Sequence, residues 1–152
     1  MDVRVLGDGD LAPLLGLYRH LNPKDPPLDS ATAEAIWRDT RGSSWCLYIG
    51  GFEGGQLVSA CTITVIPNLT RAGRPYALIE NVVTDAAFRG RGWGRKVLSA
   101  ALDLAWARNC YKVMLLTGRK DDGIIRFYER CGFRRDDKLG FVARPTPTSP
   151  EP

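Results

Sequence analysis

Two runs of apolar and β-branched residues, Ser44 to Phe52 and Gln56 to Ile66, flank the short link Glu53-Gly54-Gly55. Strands of that length joined by so few residues, with adjacent glycines supplying left-handed backbone, have to fold back on one another as an antiparallel hairpin. The rest of the chain must then cover a sheet. After a polar loop from Pro67 to Pro75, Tyr76 to Thr84 reads as another strand, and Asp85 to Gly94 as a glycine- and arginine-rich turn. Gly94, Val97, Leu98, Ala101, Leu102 and Ala105 then form a helical stripe, and Val113 to Thr117 reads as a buried strand. Strand, helix and strand in that order predict a parallel crossover.

Upstream, Val3 to Leu6 is a candidate first strand. Leu11, Leu14, Leu15, Tyr18 and Leu21 recur at helical spacing until Pro23, Pro26 and Pro27 interrupt them. Asp29 or Ser30 can cap a second helix carrying Ala33, Ile36 and Trp37. Downstream, Ile124, Ile125 and Tyr128 mark a shorter helix ending at Gly132, with one or two edge strands expected from Phe133 onward. The fold class is therefore α/β: a single mixed, mostly antiparallel central sheet with a parallel β-α-β crossover, flanked by helices. Residues 1–144 read as one domain, and 145–152, proline alternating with small or acidic residues, as a disordered tail.

A chain of 152 residues, 44% hydrophobic and 25% charged, fits one globular domain. The net charge of +4 suits an anionic ligand without by itself implying nucleic acid. No aromatic stacking platform accompanies the basic residues, and no apolar stretch approaches a bilayer span, so neither nucleic acid nor membrane is expected as a partner. Cys46, Cys61, Cys110 and Cys131 contain no C-x-x-C pair and sit in apolar or helical patterns, as small buried hydrophobes do. Without a basic and apolar leader after Met1, the simplest expectation is a reduced, cytoplasmic protein with no metal. The single histidine, His20, falls on the polar side of the first helix and reads as a surface residue.

The chemical signal is Arg89-Gly90-Arg91-Gly92-Trp93-Gly94, between a strand and a helix. Glycines there let backbone amides approach a ligand, and the helix adds unpaired N–H groups and the positive end of its dipole. Arg89, Arg91, Arg95 and Lys96 raise the potential further, so the turn predicts a phosphate site. It is not a dinucleotide fingerprint, because Arg95 or Val97 stands where the third glycine would be. Nor is it a P-loop, because Lys96 follows Arg95 and precedes Val97.

Arg89-x-x-Gly92-x-Gly94 resembles the R/Q-x-x-G-x-G/A signature of the GCN5-related N-acetyltransferases. Glu80 to Asp85 is similar to that family's fourth strand, and Phe127-Tyr128-Glu129-Arg130-Cys131-Gly132-Phe133 to its F-Y-x-x-x-G-F segment. The resemblance implies an acyl-CoA N-acyltransferase fold and acetyl-CoA as cosubstrate. The amides of Arg89, Gly90, Arg91, Gly92, Trp93 and Gly94, with Arg95, would hold the pyrophosphate, and the backbone of Val82 and Val83 would pair with the pantetheine arm. Trp93 is otherwise a packing candidate that could also shield the turn. Dimers are frequent in the family, which makes a homodimer one expectation.

Acetylating an amine requires removing a proton from a group whose pKa is about 10.4 when lysine-like, and expelling a thiolate. The resemblance assigns Tyr128 as the acid that meets the sulfur. Glu80, a carboxylate inside Leu78-Ile79-Glu80-Asn81-Val82-Val83, is the candidate base, its pKa raised if the strand buries it; water is the alternative base. Asn81 is a further candidate contact to the acceptor. Relatives often carry asparagine seven residues before the tyrosine, where this chain has Asp121, which either contacts the coenzyme or caps the helix. The expected activity is transfer of acetyl to a primary amine, on a small molecule or a protein, by direct attack in a ternary complex. A non-catalytic acyl-CoA sensor or scaffold is the competing reading. The resemblance puts acceptor selection on the first two helices and the Pro67–Pro75 loop, where no motif is recognisable. Asn109 to Val113 resembles the glucosamine-6-phosphate acetyltransferase branch, but on the coenzyme side of the site.

Overall fold

A computed structural model describes residues 2–145, and the chain divides into two units, Met1–Thr117 and Gly118–Pro152. In the first unit the chain order is β1 (Asp2–Val5), α1 (Leu11–Tyr18), α2 (Ser30–Gly42), β2 (Cys46–Glu53), β3 (Gln56–Ile66), β4 (Tyr76–Thr84), α3 (Trp93–Ala107) and β5 (Val113–Leu115). The sheet runs β1-β2-β3-β4-β5, antiparallel throughout except for the β4–β5 pair, which is parallel. The mixed sheet with one crossover is thus the observed architecture. The hairpin turns on Gly54 and Gly55, at φ 58° and 83°, the two consecutive left-handed residues that a tight type I′ link demands.

The two faces of the sheet carry separate cores. On one, Leu6, Leu14, Leu17, Leu57, Ala60 and Val83 pack together, with Tyr18, Leu21, Trp37, Tyr48 and Phe52 around them. On the other, α3 buries Trp93, Val97, Leu98, Ala101 and Ala105. Gly50 and Gly51 show why two adjacent residues of β2 lack side chains. A Cβ on Gly50 would strike Leu6 and Leu57, whereas one on Gly51 would lie 2.8 Å from Trp93 Cε3 and 3.2 Å from Val97 Cγ2. Successive strand residues face opposite sides, so each glycine admits a helix or leucine cluster from its own side.

Local chemistry sets the helix ends. Asp29, one of the two expected caps, accepts from the Thr32 amide at 2.9 Å. α1 stops at Tyr18 rather than running on to Leu21. The His20 and Leu21 amides close three-residue turns onto Leu17 and Tyr18, and Pro23 has no amide to continue. β1 is tied to α1 by Asp10, whose carboxylate takes two bonds from Arg4 at 2.7 and 3.1 Å and one from the Gly7 amide at 2.6 Å. The Arg4 guanidinium also lies 4.1 Å from the centre of the Phe52 ring.

The second unit contains α4 (Asp122–Arg130), and from Gly132 to Pro145 the described chain forms no strand. The edge strands expected after Phe133 are therefore absent there. Arg134 to Lys138 is a run of charges with no alternating apolar face to bury. β5 is shorter than expected, ending at Leu115, and its residues are half-buried. Of the expected tail only Pro145 falls among the described residues.

Gly51→Ala should lower unfolding free energy by about 1–3 kcal/mol, because Trp93 and Val97 must both give way; urea denaturation measures this. Arg4 and the Gly7 amide hold the Asp10 carboxyl below its ordinary pKa. The stabilisation it adds is therefore present above about pH 4 and lost as pH falls through the lowered value. Asp10→Asn should accordingly be less stable than the parent at pH 7, with the difference shrinking as pH falls through the lowered value; urea denaturation across that range measures this.

Candidate active site

β4 holds the unusual backbone. Thr62 of β3 lies opposite Glu80 and Ala60 opposite Val83, so Asn81 and Val82 share the single partner Cys61. This is a β-bulge, with Asn81 left-handed at φ 53°. The bulge exchanges the faces of the strand. Ile79, paired with Ile63, lies on the α3 side, whereas Val83 joins the leucines of α1. β5 pairs with Ala77, Leu78 and Ile79, so among the described residues no strand pairs with β4 on that side from Glu80 onward. The Val83 carbonyl accepts from Ser59 Oγ at 2.9 Å, across β3.

The end of β4 leads through a short 3₁₀ turn, Ala86–Phe88, into the glycine-arginine segment. Gly90 and Gly92 are left-handed at φ 75° and 83°, and Gly92 caps α3. The first bond within the helix runs from the Lys96 amide to the Gly92 carbonyl at 3.1 Å. The amides of Trp93, Gly94 and Arg95 precede it and have no carbonyl a turn behind them to pair with. Such amides, with the positive end of the helix dipole, are the groups an anion site at this turn would use. Arg91 and Arg95 are exposed beside it. Arg89 folds back, its Nε donating to the Thr84 carbonyl at 3.1 Å, so it fastens the turn to the strand.

Two expectations need correction. Trp93 is 1% exposed, its indole N–H donating to Glu53 at 2.8 Å, so its ring cannot shield the turn and only its amide is offered to a ligand. Glu80 is exposed rather than buried. It ends the cross-strand row Tyr48–Thr62–Glu80, in which Tyr18 covers Thr62 (3.4 Å between hydroxyls) and Trp37 packs on Tyr48 at 4.9 Å. β5 stops short of that row, which leaves its last member open. Burial pushes the Tyr18 hydroxyl up to about 12, so it stays protonated across the physiological range.

Tyr18, Thr62 and Glu53 were not foreseen as neighbours of the site, because each reaches it across strands and carries no local motif. Nor was the contact of His20, whose Nε2 lies 3.7 Å from Asp85 while Nδ1 accepts from the Ala86 amide at 3.5 Å. Asn81, left-handed in the bulge, is exposed.

In the second unit, Asp121 caps α4, accepting from the Ile124 amide at 3.0 Å and pairing with Arg119 at 3.1 Å. That amide holds its carboxyl below the ordinary range, so it is ionised at neutral pH. At the other end Gly132 is left-handed at φ 94°, with the Phe133 amide on the Tyr128 carbonyl at 3.1 Å and the Gly132 amide on that of Glu129 at 3.0 Å. These bonds make a Schellman cap, and the Phe133 ring closes it edge-on to Tyr128 at 6.1 Å. The spacing of Tyr128, Gly132 and Phe133 thus has a structural origin of its own.

A sequence model of the acetyltransferase (GNAT) family matches residues 14–133. The chain belongs to this family. It is 30% identical over 139 residues to a glucosamine 6-phosphate N-acetyltransferase of Trypanosoma brucei brucei, covering 91% of this chain and 92% of that protein. It is 32% identical over 122 residues to glucosamine 6-phosphate N-acetyltransferase 1 of Oryza sativa subsp. japonica, covering 78% and 72%. A solved structure from Agrobacterium tumefaciens str. C58 superposes with a TM-score of 0.90 at 48% identity, covering 95% of this chain and all of that one (100%). This GNAT protein is an acetyl-CoA-dependent acyltransferase. Among its described residues no three His, Cys, Asp or Glu are grouped to hold a metal, and no helix is long and apolar enough to cross a membrane.

Gly92→Asp puts a carboxylate at the mouth of the cradle, where a side chain would meet nothing within 4 Å. Coenzyme A should bind about tenfold or more weakly than to Gly92→Asn, which carries the same backbone strain without the charge. Equal affinities in calorimetric titration would remove the cradle as the anion site.

Proposed function

We propose that this chain transfers acetyl from acetyl-CoA to a primary amine by direct attack in a ternary complex, and that its acceptor is an amino-sugar phosphate. The observation that carries the first part is the edge of β4 beyond Ile79, which no described strand pairs on the β5 side and which leads through the Ala86–Phe88 turn into the glycine turn. An extended arm with amides can pair with such an edge while its phosphates rest on the helix start. Val82 and Val83 serve the arm, and the amides from Arg89 to Gly94, with Arg95, serve the pyrophosphate. The acceptor rests on the relatives from Trypanosoma and rice, both of which are glucosamine 6-phosphate enzymes.

In this reading residues 1–144 work as one domain. The amine loses a proton to Glu80, directly or through water, and attacks the thioester carbonyl. The tetrahedral intermediate collapses, the carbon–sulfur bond breaks, and Tyr128 gives its proton to the departing sulfur. The exposure of Glu80 suits exchange of that proton with solvent. The cap that Asp121 makes on the Ile124 amide gives an acid at that position a structural role of its own.

The test has two stages. A thermal-shift titration with acetyl-CoA, CoA, ATP and NAD should show stabilisation by the first two only, about 2.7 kcal/mol at a hundred times Kd. Release of free thiol is then followed with glucosamine 6-phosphate beside a panel of simple amines and peptides. Binding without thiol release from any amine would indicate the sensor instead. Tyr128→Phe, which keeps the ring of the Schellman cap, should lower kcat by about 10²-fold with coenzyme affinity unchanged; unchanged turnover in a chemistry-limited assay would remove it as the acid.

A further inference from the structure

Glu53, the last residue of β2, reaches the glycine turn from 40 residues away in the chain. One carboxylate oxygen accepts the Trp93 indole N–H at 2.8 Å, and the other lies 3.7 Å from Arg91 Nη1, whose guanidinium also stands over the Phe88 ring at 5.1 Å. We propose that Glu53 is a positioning residue for the coenzyme's pyrophosphate, fixing the cradle through Trp93 and holding Arg91 aside until phosphate competes for it.

This rests on the reading that the turn holds coenzyme A. Trp93 is the first residue of α3, so the anchor on its ring sets the direction of the amides that follow. The indole is a donor only and is buried, so without Glu53 it would be left unsatisfied. The same carboxylate carries a negative charge toward the place where two phosphates arrive. Glu53 therefore orders the cradle and opposes its occupant at once. Its exposure of 42%, and of 55% for Arg91, makes the opposing part sensitive to salt.

Glu53→Gln separates the two effects, since the amide oxygen still accepts the indole bond and the charge is gone. Calorimetric titration with CoA should show Glu53→Gln binding about two- to fivefold more tightly than the parent at low salt, the gain fading at high salt. The Trp93 indole N–H resonance should stay in place. Glu53→Ala should shift that resonance and bind CoA more weakly than the parent. Glu53→Gln binding no more tightly than the parent, or Glu53→Ala matching it, would overturn the proposal while leaving the coenzyme reading intact. A parent chain that does not bind CoA would overturn both. If Glu53→Ala does not fold, the salt-dependent gain of Glu53→Gln decides alone.

Discussion

The close approach of the Trp93 ring to the bare backbone of Gly51 ties the hairpin to the glycine turn. A side chain at Gly51 would push away the first turn of α3, and with it the amides that precede the first helical hydrogen bond. The direction of those amides is therefore decided inside the core, where packing is dense and rotamers are fixed, and not in the loop itself. Gly90 and Gly92 then need only be flexible enough to follow. A loop whose far end is anchored in this way has little conformational freedom left to lose.

β4 is held from the core as firmly as the glycine turn is. Its bulge lets one strand serve both cores, with Ile79 toward α3 and Val83 toward α1. The strand stays anchored on both sides of the sheet while, among the described residues, no strand pairs with its β5-side edge beyond Ile79. Ser59 adds to this from β3, bonding both the Val83 carbonyl and the Thr84 hydroxyl at 2.9 Å.

Much of this was legible in the sequence because the informative signals are local. The double glycine after Glu53, the β-branched runs, the helical stripe from Val97 to Ala105 and the Asp29 cap each act within a few residues. β4 was read to its observed ends for the same reason. What escaped was set by pairing across the chain. The depth of Glu80 depended on how far β5 extends, and β5 stops two residues before Thr117. The left-handed backbone of Asn81 follows from a bulge that only the register with Cys61 reveals. Trp93 could not be separated into ring and amide, since nothing near it in sequence announces Gly51 or Glu53. Tyr128 is the converse case: the family motif that draws attention to it also specifies a helix cap, so the residues carry two kinds of information at once.

The open edge of β4 has another face. Unpaired strand groups are templates for any extended segment, including one from a second molecule, and natural sheets blunt them with bulges and charges. The left-handed Asn81 and exposed Glu80 interrupt this edge where it leaves β5. The irregularity that lets β4 serve both cores is thus also a guard against aggregation along its edge.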